Sequence, residues 1–324
     1  MPALLSRATV AAYLVEQGVF ERAHGLEVVE LTGGISSIVL AARGEGKRVV
    51  VKQALPQFRV ADEWLVPQER ILAEASALEL MARLAPGSVP RVLDVDRHAF
   101  TLVIEEAPAG WLPWKALLLK GTADPRVATC LGELLGVLHS AAGDMGSAES
   151  FDTQRVDPYL RTVQRRHPAL AGKIDAYVKR LLATTECLVH GDYSPKNVLV
   201  GEGGLWVIDW EIVHRGDPAF DVAFLLNHLA LKTIHRPGAR VSYEACAAAF
   251  VAAFVDAYGR VADLAYVLGL LGCLMLARVD GKSPAEYLNE PEREIARAAG
   301  IALLTDPPNS LEEAWASLPR SART

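Results

Sequence analysis

The stretch Leu188-Val189-His190-Gly191-Asp192-Tyr193-Ser194-Pro195-Lys196-Asn197 puts a carboxylate at Asp192 and an amide oxygen five residues on, at Asn197. Trp206-Val207-Ile208-Asp209-Trp210 follows and ends an apolar run on a second carboxylate, Asp209. A carboxylate to take a hydroxyl proton, an amide oxygen for a metal ion and a second carboxylate beyond a short hairpin are the parts that phosphoryl transfer requires. Magnesium binds oxygen and needs only one or two carboxylates besides substrate phosphates, so Asp209 with Asn197 is a sufficient set. Glu211 could add a further oxygen to the metal, and Lys196 could steady the transferring group. Asp and Asn also populate turns. The D-x4-N spacing and the apolar lead into Asp209 favour the chemical reading over a plain turn.

Upstream, Val49-Val50-Val51-Lys52 ends a β-branched run on a lysine that could neutralise phosphate charge. Its best carboxylate partner is Glu74, which sits with Leu78 and Met81 at helical spacing; Glu69 and Glu79 compete. Thr32-Gly33-Gly34-Ile35-Ser36-Ser37 is a turn rich in glycine and hydroxyls, suited to offering backbone N–H groups to phosphates, with Gly33, Gly34 and Ser36 as its candidates. No G-x-x-x-x-G-K-[ST] occurs, so a Walker-type site is not expected. Downstream, Asp217 suits a helix N-cap with Pro218 behind it, and Asp221 suits a hydrogen bond to the Asp192 loop. Arg278 either faces an acceptor cleft or simply complements a helix C-terminus, where Gly281 would take the left-handed cap position.

These groups need a scaffold, and the sequence patterning supplies two. Short Val/Ile/Leu runs at 27–31, 37–42, 48–52, 91–94 and 100–104, punctuated by Gly33-Gly34 and Gly44-Glu45-Gly46, read as strands. One helix interrupts them at 67–84, with Ile71, Ala75, Leu78 and Met81 on one face. From 125 onward the pattern is helical: Val127, Leu131, Leu134, Leu135 and Leu138 share a face, and 219–231, 243–258, 262–279 and 290–304 repeat the habit. The exception is 187–210, whose three apolar runs 187–189, 198–200 and 205–208 read as a small hairpin set. The segment 105–121, with Pro108, Gly110 and Pro113, reads as the connector. The expected class is α+β, with an N-lobe over 1–106 and a larger, mostly helical C-lobe over 107–324.

The 324 residues are 51% hydrophobic and 22% charged with a net charge of −6, which suits a folded chain and offers no basic footprint for nucleic acid. The apolar stretch 264–277 is fourteen residues long, short of the roughly 20 that span a bilayer, and reads as a buried core helix. The N-terminal run 8–15 is bracketed by Arg7 and Glu16 with no clear cleavage site after it. No membrane partner and a cytoplasmic location are therefore expected. Cys130, Cys187, Cys246 and Cys273 form no C-x-x-C pair and read as buried apolar side chains.

H-G-D-x4-N, I-D-W and G-D-P-x-x-D-V-A resemble the aminoglycoside phosphotransferase and choline kinase group, over nearly the whole chain. The resemblance implies a bilobal, protein-kinase-like fold: a five-stranded antiparallel sheet with one helix, a hinge near 105–108 where Glu106 would meet adenine, and an acceptor site in the helical lobe. It implies ATP and Mg2+, with transfer to the hydroxyl of a small molecule such as a sugar, amino alcohol or aminoglycoside. Lys52-Gln53-Ala54-Leu55-Pro56, Trp64, Glu69-Arg70 and Asp209-x-Glu211 are similar to the methylthioribose kinase family. The wording of 193–197 departs from that family, and Arg278 stands without a paired arginine, which leaves the acceptor open. Absence of D-F-G and A-P-E argues against a protein kinase, and His190 has no ligand-spaced neighbours for a metal hydrolase. A nucleotide-binding protein without catalysis is the alternative.

Overall fold

The structure, a computed structural model, describes residues 3–31, 36–59, 65–260 and 263–318. Gly33, Gly34 and Trp64 lie outside the described residues. Five antiparallel strands, β1 (Glu27–Glu30), β2 (Ser37–Gly44), β3 (Lys47–Ala54), β4 (Val92–Asp96) and β5 (Thr101–Glu105), pair in the order β1-β2-β3-β5-β4. Glu45 and Gly46 both take positive φ, 50° and 72°, between the paired Gly44 and Lys47. This two-residue turn matches strand twist and fixes the register of the hairpin. Lys52 consequently lies opposite Val39 on one side and Leu102 on the other.

Side chains alternate across a sheet with period two. Val49 and Val51 therefore pack outward with Val10, Leu14 and Phe20, beneath the helix Val10–Glu16. Val50, Lys52 and Ala54 take the other parity. On that face Ala54 packs in one core with Ile71, Ala75 and Leu78 of the helix Arg70–Leu84.

The helical lobe is built on Pro125–Ser140, Ala219–His235, Arg240–Tyr258, Leu264–Asp280 and Glu290–Thr305. Every residue of Leu264–Asp280 from Tyr266 to Val279 is buried, as expected of the apolar stretch 264–277. Pro125–Ser140 meets Arg240–Tyr258 backbone to backbone: a Cβ at Gly132 would lie 2.4 Å from the Phe250 oxygen. Among the described residues one helical stretch, Pro237–Tyr258, is long and apolar enough to cross a membrane, and 28% of that window is buried.

The small strands of this lobe pair differently from the expected hairpin set. β6 (Leu112–Pro113), β8 (Val198–Gly201) and β9 (Gly204–Val207) form one sheet, in the order β6-β8-β9. β7 (Cys187–Val189) instead pairs with β10 (His214–Gly216). Strands of three or four residues carry too little alternation to name a partner. Two further readings are corrected. Cys130 is exposed, because it falls on the open side of Pro125–Ser140, whereas Cys187, Cys246 and Cys273 are buried. Gly281 has φ −87° and ψ −172°, extended rather than left-handed.

Candidate active site

Asp192 and Asp209 reach the site from opposite sides of the β8–β9 hairpin, and backbone chemistry holds both. Asp221, fully buried, accepts from the N–H of His190 at 2.7 Å and of Gly191 at 2.9 Å. His190 Nδ1 accepts from the Asp192 N–H at 3.2 Å while Nε2 faces the Ile208 carbonyl at 3.2 Å. These partners fix the Nε2–H tautomer, and burial lowers the imidazole pKa, so the ring is a neutral staple between the two loops. Gly191 has φ 76°, and a Cβ there would lie 2.8 Å from the Ile212 oxygen, which explains the glycine of H-G-D. Asp209 itself sits at φ 68°, a left-handed conformation that aspartate tolerates better than most residues.

Two cations converge on the Asp192 carboxylate. Lys196 Nζ lies 2.9 Å and Arg155 Nη2 2.8 Å from Oδ2, and Arg155 Nε also donates to the Gly191 carbonyl at 2.9 Å. Burial alone would raise this carboxyl, but Arg155 and Lys196 outweigh it and hold it below the ordinary aspartate range. Arg155 was not legible in the sequence. It sits on a π-helical stretch, Asp152–Arg161, that contains Pro158. An α-helical turn there would press the proline ring against the carbonyl four residues back, and the wider turn relieves it.

Lys52 meets Glu74 at 2.7 Å to both oxygens and Asp209 at 2.9 Å. Glu69 and Glu79 are exposed. Burial works against the ammonium charge, but Asp209 and Glu74 hold Lys52 well above the usual lysine value; burial also pushes the Glu74 carboxyl up, against the pull of Lys52. Asp209 is held far below the usual range: burial opposes its charge, and Lys52 and Lys196 overcome it. Asn197 donates through Nδ2 to the Asp192 carbonyl at 3.0 Å, which commits its NH2 and leaves the amide oxygen as the group it can offer elsewhere. Glu211 pairs with Arg70, whose Nε lies 3.2 Å from its Oε2. Arg70 also donates to the carbonyls of Ser36, Leu55 and Pro67, so it joins the end of the glycine-rich turn to the helical lobe. Glu106 donates its N–H to the Arg48 carbonyl, and its carboxylate accepts from Arg43 and pairs with Arg48, so both its N–H and its carboxylate are engaged within the sheet.

Two cavities adjoin at these residues. The larger, about 780 Å³, runs between the lobes and is lined by Val39, Val50, Ile104 and Ile208 as well as Ser36, Lys52, Glu106, Asn197 and Asp209. Its size falls within the roughly 300–1,000 Å³ typical of ligand sites. The smaller, about 200 Å³, holds Asp192, Tyr159, Phe224, Lys232, Arg278 and Tyr287, and shares Lys115 and Lys196 with the first. Arg278 therefore faces a cleft instead of only ending a helix. Among the described residues no three His, Cys, Asp or Glu side chains are grouped to cage a metal. That suits a cation bound by one carboxylate, one amide oxygen and phosphates, and the oxygen donors of Asp209 and Asn197 fit magnesium.

A two-lobed fold, with the antiparallel sheet offering Lys52 and Glu74 across a cleft to loops from a helical lobe, marks a protein-kinase-like phosphotransferase of the kind that acts on small molecules. The phosphotransferase enzyme family model matches residues 27–270, and the chain belongs to that family. A methylthioribose kinase from Bacillus cereus (strain AH820) is 25% identical over 265 residues, covering 72% of this chain and 67% of that protein. Among solved structures, a choline/ethanolamine kinase family protein from Mesorhizobium loti superposes with a TM-score of 0.53 at 17% identity, covering 96% of this chain and 98% of the other. A spectinomycin phosphotransferase in complex with ADP and spectinomycin gives 0.52 at 14% identity, covering 97% and 94%. At these identities the structural likeness speaks for the fold.

Proposed function

We propose that this chain transfers the γ-phosphoryl group of ATP to a hydroxyl of a small acceptor, with Asp192 as the base. The observation that carries the reading is the pair of adjoining cavities: Asp209, Asn197 and Lys52 line the large one, Asp192 the small one, and Lys196 lies in both. The apolar part of the large cavity suits an adenine ring, and Lys52, held by Glu74, suits the α- and β-phosphates. Asp209 and Asn197 would hold magnesium, which when bound shields phosphate charge; Glu211, occupied by Arg70, is the weaker candidate. Asp192 orients the acceptor hydroxyl and takes its proton as the new O–P bond forms and the bond to the β-phosphate oxygen breaks. A carboxylate kept this acidic is a poor base toward a free alcohol, so proton transfer accompanies bond formation rather than preceding it. Lys196 offsets charge on the transferring group. No covalent enzyme intermediate is needed.

Asp192→Asn tests this reading through ADP release with an acceptor panel that includes methylthioribose, the substrate in the name of the Bacillus cereus relative. Turnover should fall by about 10²–10⁴, with ATP affinity unchanged. Full turnover in the variant would remove Asp192 from the mechanism.

A further inference from the structure

The small cavity is charged in a way that neither phosphoryl transfer nor packing accounts for. Four cationic side chains line it: Lys115, Lys196, Lys232 and Arg278. Lys196 is paired with Asp192 and Lys115 with Glu286. Those two carboxylates are the only acidic residues in the lining, and both are already neutralised. Among the described residues, Lys232 and Arg278 have no carboxylate within ion-pair reach.

Both side chains are built into the core. Lys232 is fully buried; its Nζ donates to the His228 carbonyl at 3.3 Å and lies 5.2 Å above the Tyr287 ring. Arg278 is 9% exposed; Nη1 donates to the Ser283 backbone carbonyl and, at 2.8 Å, to its hydroxyl, while Nε is buried with no partner among the described residues. The buried Tyr287 hydroxyl likewise has no partner among the described residues. Native proteins pair nearly all such groups, so orphaned donors lining a cavity point to a ligand that accepts from them. An uncompensated buried cation is costly, and an anion removes that cost. Burial, with Lys115 and Arg278 nearby, depresses the Lys232 pKa to about 7, while burial and Lys232 keep His228 neutral.

Taking the kinase reading as its basis, we propose that the acceptor is an anion: a small hydroxyl compound whose carboxylate or phosphate group is bound by Lys232 and Arg278 in the cavity that holds Asp192. The guanidinium fork suits planar recognition of either oxyanion, and Tyr287 offers a further donor. Choline-like and aminoglycoside-like cations would meet the Arg278 charge, a Lys232 that turns positive below about pH 7 and is held charged by a bound anion, and, among the described residues, no free carboxylate.

The test uses the full chain and size-matched acceptors in three arms: anionic (glycerate as the hydroxy acid, glycerol 3-phosphate and ribose 5-phosphate as phosphates), neutral (glycerol, ribose, methylthioribose) and cationic (choline, ethanolamine). Binding is measured calorimetrically with a non-hydrolysable ATP analogue present, and ADP release separately. Only anions should bind, and the hydroxy-acid and phosphate arms show which group is preferred. Arg278→Gln and Lys232→Gln should weaken the preferred anion by roughly ten- to hundredfold with ATP affinity unchanged, while Arg278→Lys, which keeps the charge but loses the fork, should weaken it less than Arg278→Gln. Thermal melts identify any variant that fails to fold, and the charge preference of the unaltered protein stands as an independent readout. Preference for neutral or cationic acceptors, absence of anion binding, or a loss of ATP affinity in the two Gln variants would overturn the proposal. Anion binding without ADP release from any acceptor would leave the anion site of Lys232 and Arg278 standing and refute its role as an acceptor site together with the kinase reading.

Discussion

Asp221 touches neither cavity, yet the position of Asp192, the proposed base, depends on it. Its carboxylate accepts from two consecutive backbone N–H groups, at 2.7 and 2.9 Å, and faces His139 Nε2 at 3.3 Å. Hydrogen bonds to a charged partner contribute about 1.5–3 kcal/mol each. Asp221→Ala, which strands both donors, should therefore cost about 3–6 kcal/mol of the 5–15 kcal/mol typical of a folded domain. Asp221→Asn keeps one carbonyl acceptor and should lose about half as much. Urea unfolding followed by circular dichroism and tryptophan fluorescence, with coincident transitions, gives the difference. The pH dependence adds a second check. Burial would raise this carboxyl, but His139 and the His190 amide outweigh it and hold it below the ordinary value. A depressed folded value gives stability that is present above the unfolded value of about 3.9 and is lost as pH falls through the folded one. The unaltered protein should thus lose stability more steeply than Asp221→Asn in acid. A cost below about 1 kcal/mol for Asp221→Ala, or parallel acid limbs, would refute the reasoning.

Three further outcomes follow from the same geometry. Lys52→Met leaves Glu74 buried beside Asp209 without its cation, so ATP affinity should fall and stability drop by about 3–5 kcal/mol, read by calorimetry and urea melts. Asp209→Asn should abolish the dependence of ATP affinity on magnesium concentration while leaving metal-free ATP binding in place, as nucleotide titrations at several magnesium levels will show. Lys232, with a folded pKa of about 7 against 10.5, is neutral in the folded chain and protonated in the unfolded one between those values, so the unfolded state binds more protons. Stability should therefore rise with pH across that window, by up to about 1.4 kcal/mol per unit, and Lys232→Met should remove that slope from urea-unfolding measurements made at several pH values.

How much of this could be read from the chain depended on how far apart the partners lie. Asp192, Asn197 and Asp209 share one loop and hairpin, so their spacing alone was enough to group them and to suggest the proposed chemistry. Lys52 and Glu74 are separated by one strand end and one helix, and helical phase was enough to prefer Glu74. Asp221 was legible because its helix starts just beyond the hairpin. Arg155 was not: it lies 36 residues before the Gly191 carbonyl it binds, on a turn whose period is neither 3.6 nor 2. The pairing of Arg70 with Glu211 was missed because 141 residues separate the two partners. Arg278 was read from the sequence as facing either a cleft or a helix end, whereas Lys232 was missed because its helix reads as continuous apolar core, in which a single cation looks incidental. Of the small strands near the site, β7, β8 and β9 were found while β6 and β10 were not, and β7 was given the wrong partners, because strands of two or three residues carry no pattern that selects a neighbour.

The π-helical stretch has a consequence for anyone who wishes to retune this protein. Arg155, which pairs with Asp192, and Tyr159, which lines the small cavity proposed to take the acceptor, sit on the same widened turn, and the Arg155 guanidinium lies 5.8 Å over the Tyr159 ring. Contacting residues of this kind couple by about 0.5–3 kcal/mol when substituted together. A change at Tyr159 made to admit a different acceptor will therefore also move the arginine that holds Asp192. New specificity at that position should come with slower turnover unless a compensating change on the same turn restores the arginine, whereas Tyr287, on a separate segment, offers a route to altered selectivity that leaves the base undisturbed.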